Sequence, residues 1–134
     1  MRTLPRKAGA GLLALALGLL TFAHTAMADT ASTSGTTSSI FTFTTGTTQR
    51  TQNHAGDDLG FTKTGGTNPA IDMRWVKCTD PSVVGTTITN ITNDGNQRIW
   101  ANFIQGACFK LQYRGWTQAS GTFTGTVAWN ANFA

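Results

Sequence analysis

Four segments in the second half of the chain alternate apolar and polar residues with a period of two. Ile71, Met73 and Trp75 alternate with Asp72, Arg74 and Val76. Ile99, Ala101 and Phe103 alternate with Arg98, Trp100 and Asn102. Phe109, Leu111 and Tyr113 alternate with Cys108, Lys110, Gln112 and Arg114. Phe123, Val127 and Trp129 lie opposite Thr122, Thr124 and Thr126. Successive side chains of a strand point to opposite faces, so each segment reads as a strand with one core face, the first-named set of each. A Thr/Ile-rich strand is predicted over residues 86–92, and Asn93-Asp94-Gly95-Asn96 reads as a hairpin turn into the strand 97–104. No 3.6 period is sustained after residue 28. The predicted class is all-β: a small antiparallel β-sandwich or a partly closed β-barrel.

The first half is weaker in pattern. Residues 29–39 are Ser/Thr-rich and uncharged after Asp29, and read as a flexible leader. Ile40-Phe41-Thr42-Phe43-Thr44 alternates and could form a short strand. Residues 53–60 read as loop, and Gly65-Gly66-Thr67-Asn68-Pro69 is a further break. One domain is therefore expected over 40–134, weakly structured to residue 69, with its core strands in 70–134.

Residues 1–28 have the three parts of a secretory signal: a basic start to Lys7, about 16 apolar residues, then Ala26 and Ala28 in an A-x-A arrangement. The apolar stretch is shorter than the ~20 residues that span a bilayer, so no stable membrane insertion is expected. Composition and signal style fit a secreted bacterial protein. Cleavage would leave 106 residues with seven basic and six acidic side chains, every acid an Asp. A net charge of +1 replaces the +4 of the full chain, and the basic footprint of a nucleic-acid binder is absent. Cys78 and Cys108 suit an oxidising compartment and are expected to pair, closing a loop of 31 residues.

Candidate chemistry is sparse. His54 is the single His after residue 28, and neither Ser82 nor Ser120 lies in a nucleophile motif. Asp57 and Asp58 are adjacent, which points them apart in an extended segment rather than across a glycosidic bond. Asn93, Asp94 and Asn96 lack the EF-hand spacing for calcium. The expectation is a protein without catalytic residues, metal or cofactor, whose work is binding. Its predicted ligand surface is the aromatic and basic strand face Arg98, Trp100, Asn102, Lys110, Gln112 and Arg114, with Trp116 beyond it. An outward ring among amide and guanidinium groups suits an extracellular glycan or protein. The competing reading of Trp100 is a second core residue. The alternative function is a subunit of a larger secreted complex that docks through its N-terminal strand, the β-prone segment 40–44 behind the leader, or a self-assembling surface protein, since neutral Thr-rich strands do little to block edge pairing.

Overall fold

The computed structural model describes residues 28–54, 58–100 and 103–131. Among them are nine strands in two antiparallel sheets. The first sheet runs β1 (Asp29–Thr37), β9 (Gly121–Ala131), β4 (Asp58–Gly65), β7 (Arg98–Trp100). The second runs β2 (Thr44–Thr45), β8 (Cys108–Gly115), β5 (Ala70–Lys77), β6 (Ile88–Thr92), with β3 (Arg50–Thr51) also on β8. The sheets do not close on each other, so the fold is a sandwich rather than a barrel. Residues 1–27, nearly all of the segment 1–28 expected as a signal, lie outside the described residues.

Three of the four alternating segments behave as their parity requires. Ile71 and Met73 on β5, Phe109 and Leu111 on β8, and Phe123 and Val127 on β9 are buried between the sheets. Trp75, Tyr113 and Trp129 pack partly buried against that core. Phe123 meets Phe61 of its own sheet edge-on at 6.2 Å and Tyr113 of the facing sheet at 4.7 Å, so aromatic edges join the layers.

The fourth segment is reversed. Trp100 is 6% exposed and belongs to the core, while Ile99 is 42% exposed. Trp100 and Phe103 are both in the core although they have opposite parity, so one alternation does not run across 97–104. The register places Trp100 opposite the buried Leu59 and Ile99 opposite Gly60, which has no side chain to cover it. Ala101 lies outside the described residues.

The expected leader is a strand. Asp29–Thr37 pairs with β9 over nine residues without a break. Its inward positions are small because the space is taken: a Cβ on Gly35 would come within 2.5 Å of the Tyr113 ring and 2.7 Å of Phe123. The strand predicted within 40–44 is reduced to Thr44–Thr45, with Ile40 and Phe41 exposed. Residues 58–60, expected as loop, begin the inner strand β4. There Leu59, Phe61 and Lys63 share a fully buried face. The Lys63 ammonium donates to the Gly65 carbonyl at 3.0 Å and to Asn93 Oδ1, and burial pushes its pKa down.

The predicted hairpin at 93–96 is instead a crossover: β6 belongs to the second sheet and β7 to the first. Gly95 has φ 75°, as a tight turn demands. The Asp94 carboxylate accepts the Asn96 N–H at 2.8 Å, the Thr92 hydroxyl at 3.1 Å and an Arg98 N–H at 2.9 Å. These bonds, the Asn96 backbone first, lower its pKa to about 2 from 3.8. A carboxylate with a lowered folded pKa stabilises above its unfolded pKa and loses that contribution as pH falls through the folded one. Asp94→Asn should therefore lower the Tm at pH 6, and the gap from the parent should close between about pH 4 and pH 2. Thermal melts across that range read it directly; a gap that persists at pH 2 contradicts the carboxylate's role.

Candidate functional site

The outer face of the second sheet carries a polar network. Arg114 on β8 donates to Asp72 on β5 at 3.0 Å, and the buried Asp72 also accepts the Asn90 N–H at 3.2 Å. Arg74 donates to Gln112 Oε1 at 2.8 Å, and Gln112 Nε2 donates to the Thr45 hydroxyl at 2.9 Å. Over this network lies the chain's own segment 40–45. The Phe41 ring is 3.5 Å from the Arg114 guanidinium carbon, and Phe43 is 4.4 Å from Arg114 and 4.0 Å from Arg74. Cation–π contact and hydrogen bonds thus occupy both guanidinium groups from within.

The predicted ligand residues divide accordingly. Lys110, Gln112 and Arg114 do share one face of β8. Trp116 follows them in a single 3-10 turn, Trp116–Gln118, and is 40% exposed. Arg98 and Trp100 belong to the other sheet. Arg98 pairs with Asp94, and the Trp100 indole N–H donates to the Thr86 carbonyl at 2.8 Å inside the core. Trp100 is therefore corrected from an outward ligand contact to a core residue. Asn102 lies outside the described residues. Among the described residues, no group of three His, Cys, Asp or Glu side chains is placed to hold a metal. Ser82 is a turn residue whose hydroxyl donates to Asp80 at 2.6 Å.

A different site forms at the end of the sandwich where β5 stops and β8 starts. Cys78 and Cys108 are joined there, as their spacing and address suggest, with Cα atoms 5.4 Å apart. The chain after Cys78 turns at Asp80 and comes back along β5: Lys77 N–H donates to the Val83 carbonyl and Gly85 N–H to the Trp75 carbonyl, both at 2.9 Å. This pins Val83 and Val84 beside Trp75 with their side chains partly exposed. Gly85 is required here, because a Cβ would lie 2.0 Å from Trp75 Nε1. On the other side, residues 104–107 form a turn closed by Ala107 N–H to the Ile104 carbonyl at 3.1 Å and tied by Gly106 N–H to the Gln52 carbonyl at 2.7 Å. That turn holds Ile104 at 78% exposed.

Between these two arms is a cleft of about 450 Å³. Its aromatic residues are Trp75, Phe103 and Phe109, in edge or tilted contacts at 5.2 and 5.5 Å, and Val83 and Ile104 flank them. Lys77 and Gln105 are the charged and amide side chains lining it. A shallower hollow borders the same Trp75 next to Val84 and Ile99. Four of the large apolar side chains exposed among the described residues, Val83, Val84, Ile99 and Ile104, thus gather round one half-buried indole. Hydrophobic periodicity does not find this site, because Val83, Val84 and Ile104 sit in or beside turns. The usable signal is apolar residues where turn chemistry expects polar ones: Val83-Val84 between Asp80-Pro81-Ser82 and Gly85, and Ile104 before Gln105-Gly106.

No helix among the described residues is long and apolar enough to cross a membrane. No family model matches the chain, no curated protein matches it in sequence, and no solved structure matches it in fold.

Proposed function

We propose that the chain is an exported, non-catalytic binding protein that docks a protein partner through the cleft beside Trp75. The signal-like start and the disulfide support export. The observation that carries the binding reading is the gathering of Val83, Val84, Ile99 and Ile104 around a cleft with aromatic walls. Exposed apolar side chains grouped in this way mark protein interfaces, whose strongest contacts are apolar anchors seated in preformed pockets. A protein ligand is favoured over a glycan because the cleft sets two polar side chains, Lys77 and Gln105, among apolar ones, whereas a sugar ring needs several convergent hydrogen-bonding groups. The strand face of Lys110, Gln112 and Arg114 supports a ligand role less well, since Thr45 already engages Gln112, and Asp72, Phe41 and Phe43 engage Arg114. A second reading, a subunit docking by its N-terminal strand, draws on β1: it is an edge of the first sheet, nine residues long, with Asp29 its sole charge.

The test is the substitution Ile104→Asp. At 78% exposure the change should leave stability within about 0.5 kcal/mol. Retention of a stoichiometric partner from the producer's extracellular proteins should fall at least tenfold, about 1.4 kcal/mol. Cellulose and chitin, which carry no acidic sugar, should be retained by neither form. Tight retention on either that survives Ile104→Asp contradicts the reading.

A further inference from the structure

Arg50 faces inward from β3, where it pairs with Phe109, and it lines a different cavity from that cleft, toward the edge of the sandwich formed by β1. It is 7% exposed. Its guanidinium carbon stands 5.5 Å from the centre of the Trp129 ring. Its Nε–H is buried and finds no acceptor among the described residues, and neither carboxylate ion pair among them includes it. Removal from water pushes its pKa down. A buried cation with an open donor is costly unless an acceptor is brought to it.

The side chain lines a cavity of about 170 Å³ between β1 and the β2–β3 connection. Thr33, Ser34, Thr45, Thr47, Thr48 and Tyr113 contribute hydroxyl-bearing residues to the same lining. A guanidinium among hydroxyl donors is the chemistry that receives an oxyanion, and the volume admits one compact group. Thr33, Ser34 and Thr48 also border an adjoining trough of about 520 Å³, which continues over Ser32, Thr64, Thr124 and Thr126. That trough is made of Ser, Thr and Gly alone, so it offers uncharged hydroxyls that can both donate and accept.

We infer that Arg50 and its hydroxyl cavity bind the anionic group of an acidic saccharide, whose ring lies along the Thr-lined trough. The shared chemistry is an oxyanion, and a free inorganic anion is the other source that could supply it. Calorimetric titration of the full chain separates the two at constant ionic strength. The ligands are inorganic sulfate, inorganic phosphate, sulfated galactose, phosphorylated galactose, galacturonate and neutral galactose. At least one acidic sugar should bind tenfold or more tightly than the matching inorganic anion, and neutral galactose should not bind. Arg50→Met should lower that affinity at least tenfold. Thr124→Val, an exposed change confined to the trough, should weaken the acidic sugar several-fold and leave the inorganic anion unchanged. Failure of the unaltered protein to bind any acidic sugar overturns the assignment, whatever the variants do. Equal affinity for an acidic sugar and its inorganic anion overturns the saccharide part of it.

Discussion

Trp100→Ala should cost about 3–5 kcal/mol of folding stability, enough to unfold a domain of this size or bring it close to unfolding. The indole is buried among the core residues, and its N–H reaches the Thr86 carbonyl at 2.8 Å. Among the described residues β7 pairs with β4 at Leu59, Gly60 and Phe61. The loss should spread, because Leu59 opposite is fully buried and would face the new cavity. Trp100→Phe separates the contributions: it keeps an aromatic ring and deletes the hydrogen bond, so its cost should be clearly smaller. Urea unfolding followed by intrinsic fluorescence and far-ultraviolet dichroism measures both. A stable, folded Trp100→Ala protein that has lost less than about 1 kcal/mol would restore the outward placement of the ring and contradict the register of β7.

Replacing both cysteines by Ala should cost roughly 3–4 kcal/mol, a fall in Tm of roughly 10–30 °C for a domain of this length. The bridge joins residues 30 apart in sequence. It sits just beyond the last ladder pair, Lys77 with Phe109, between the two inner strands of the second sheet. The Cys78 N–H already donates to the Cys108 carbonyl at 3.0 Å, so the folded ends stay together without the covalent link. The loss is therefore expected mainly from the gain in freedom of the unfolded chain. The chevron should show it chiefly as slower folding if the β5–β8 ends meet in the transition state, and as faster unfolding if they meet later. Because Cys108 lines the cleft, the double variant should also loosen the site before it melts globally. Equal stability of the oxidised parent and the double Ala variant contradicts this account of the bridge.

What could be read from the chain and what could not have separate physical causes. β5, β8 and β9 were legible because each buries large apolar residues on alternate positions, and the disulfide because two cysteines in a small domain behind a signal-like start have few other uses. β1 was hidden because its inward side is Ala31, Thr33 and Gly35. Gly35 is small for the sake of Tyr113 and Phe123, residues remote in sequence. β4 was hidden by Gly60 and by Lys63, a lysine on a core face that depends on Asn93 and Gly65 for its acceptors. The turn at Asp94 has the same local chemistry whether the next strand stays in its sheet or crosses to the other, so no residue in it distinguishes the two. Trp100 was misplaced for a related reason. Parity separates two faces of a strand, but it does not say which face meets the opposing sheet.

The most direct measurement of the binding proposal is site-specific photocrosslinking in the producer's culture medium. A photoreactive phenylalanine analogue replaces Ile104 at the cleft in one protein and Ser34 on the open edge of β1 in another. Mass spectrometry then identifies what each position captures. The account predicts one protein crosslinked in stoichiometric yield from position 104 and little from position 34. A partner captured from position 34 and not from 104 would contradict it and make the N-terminal strand the docking element.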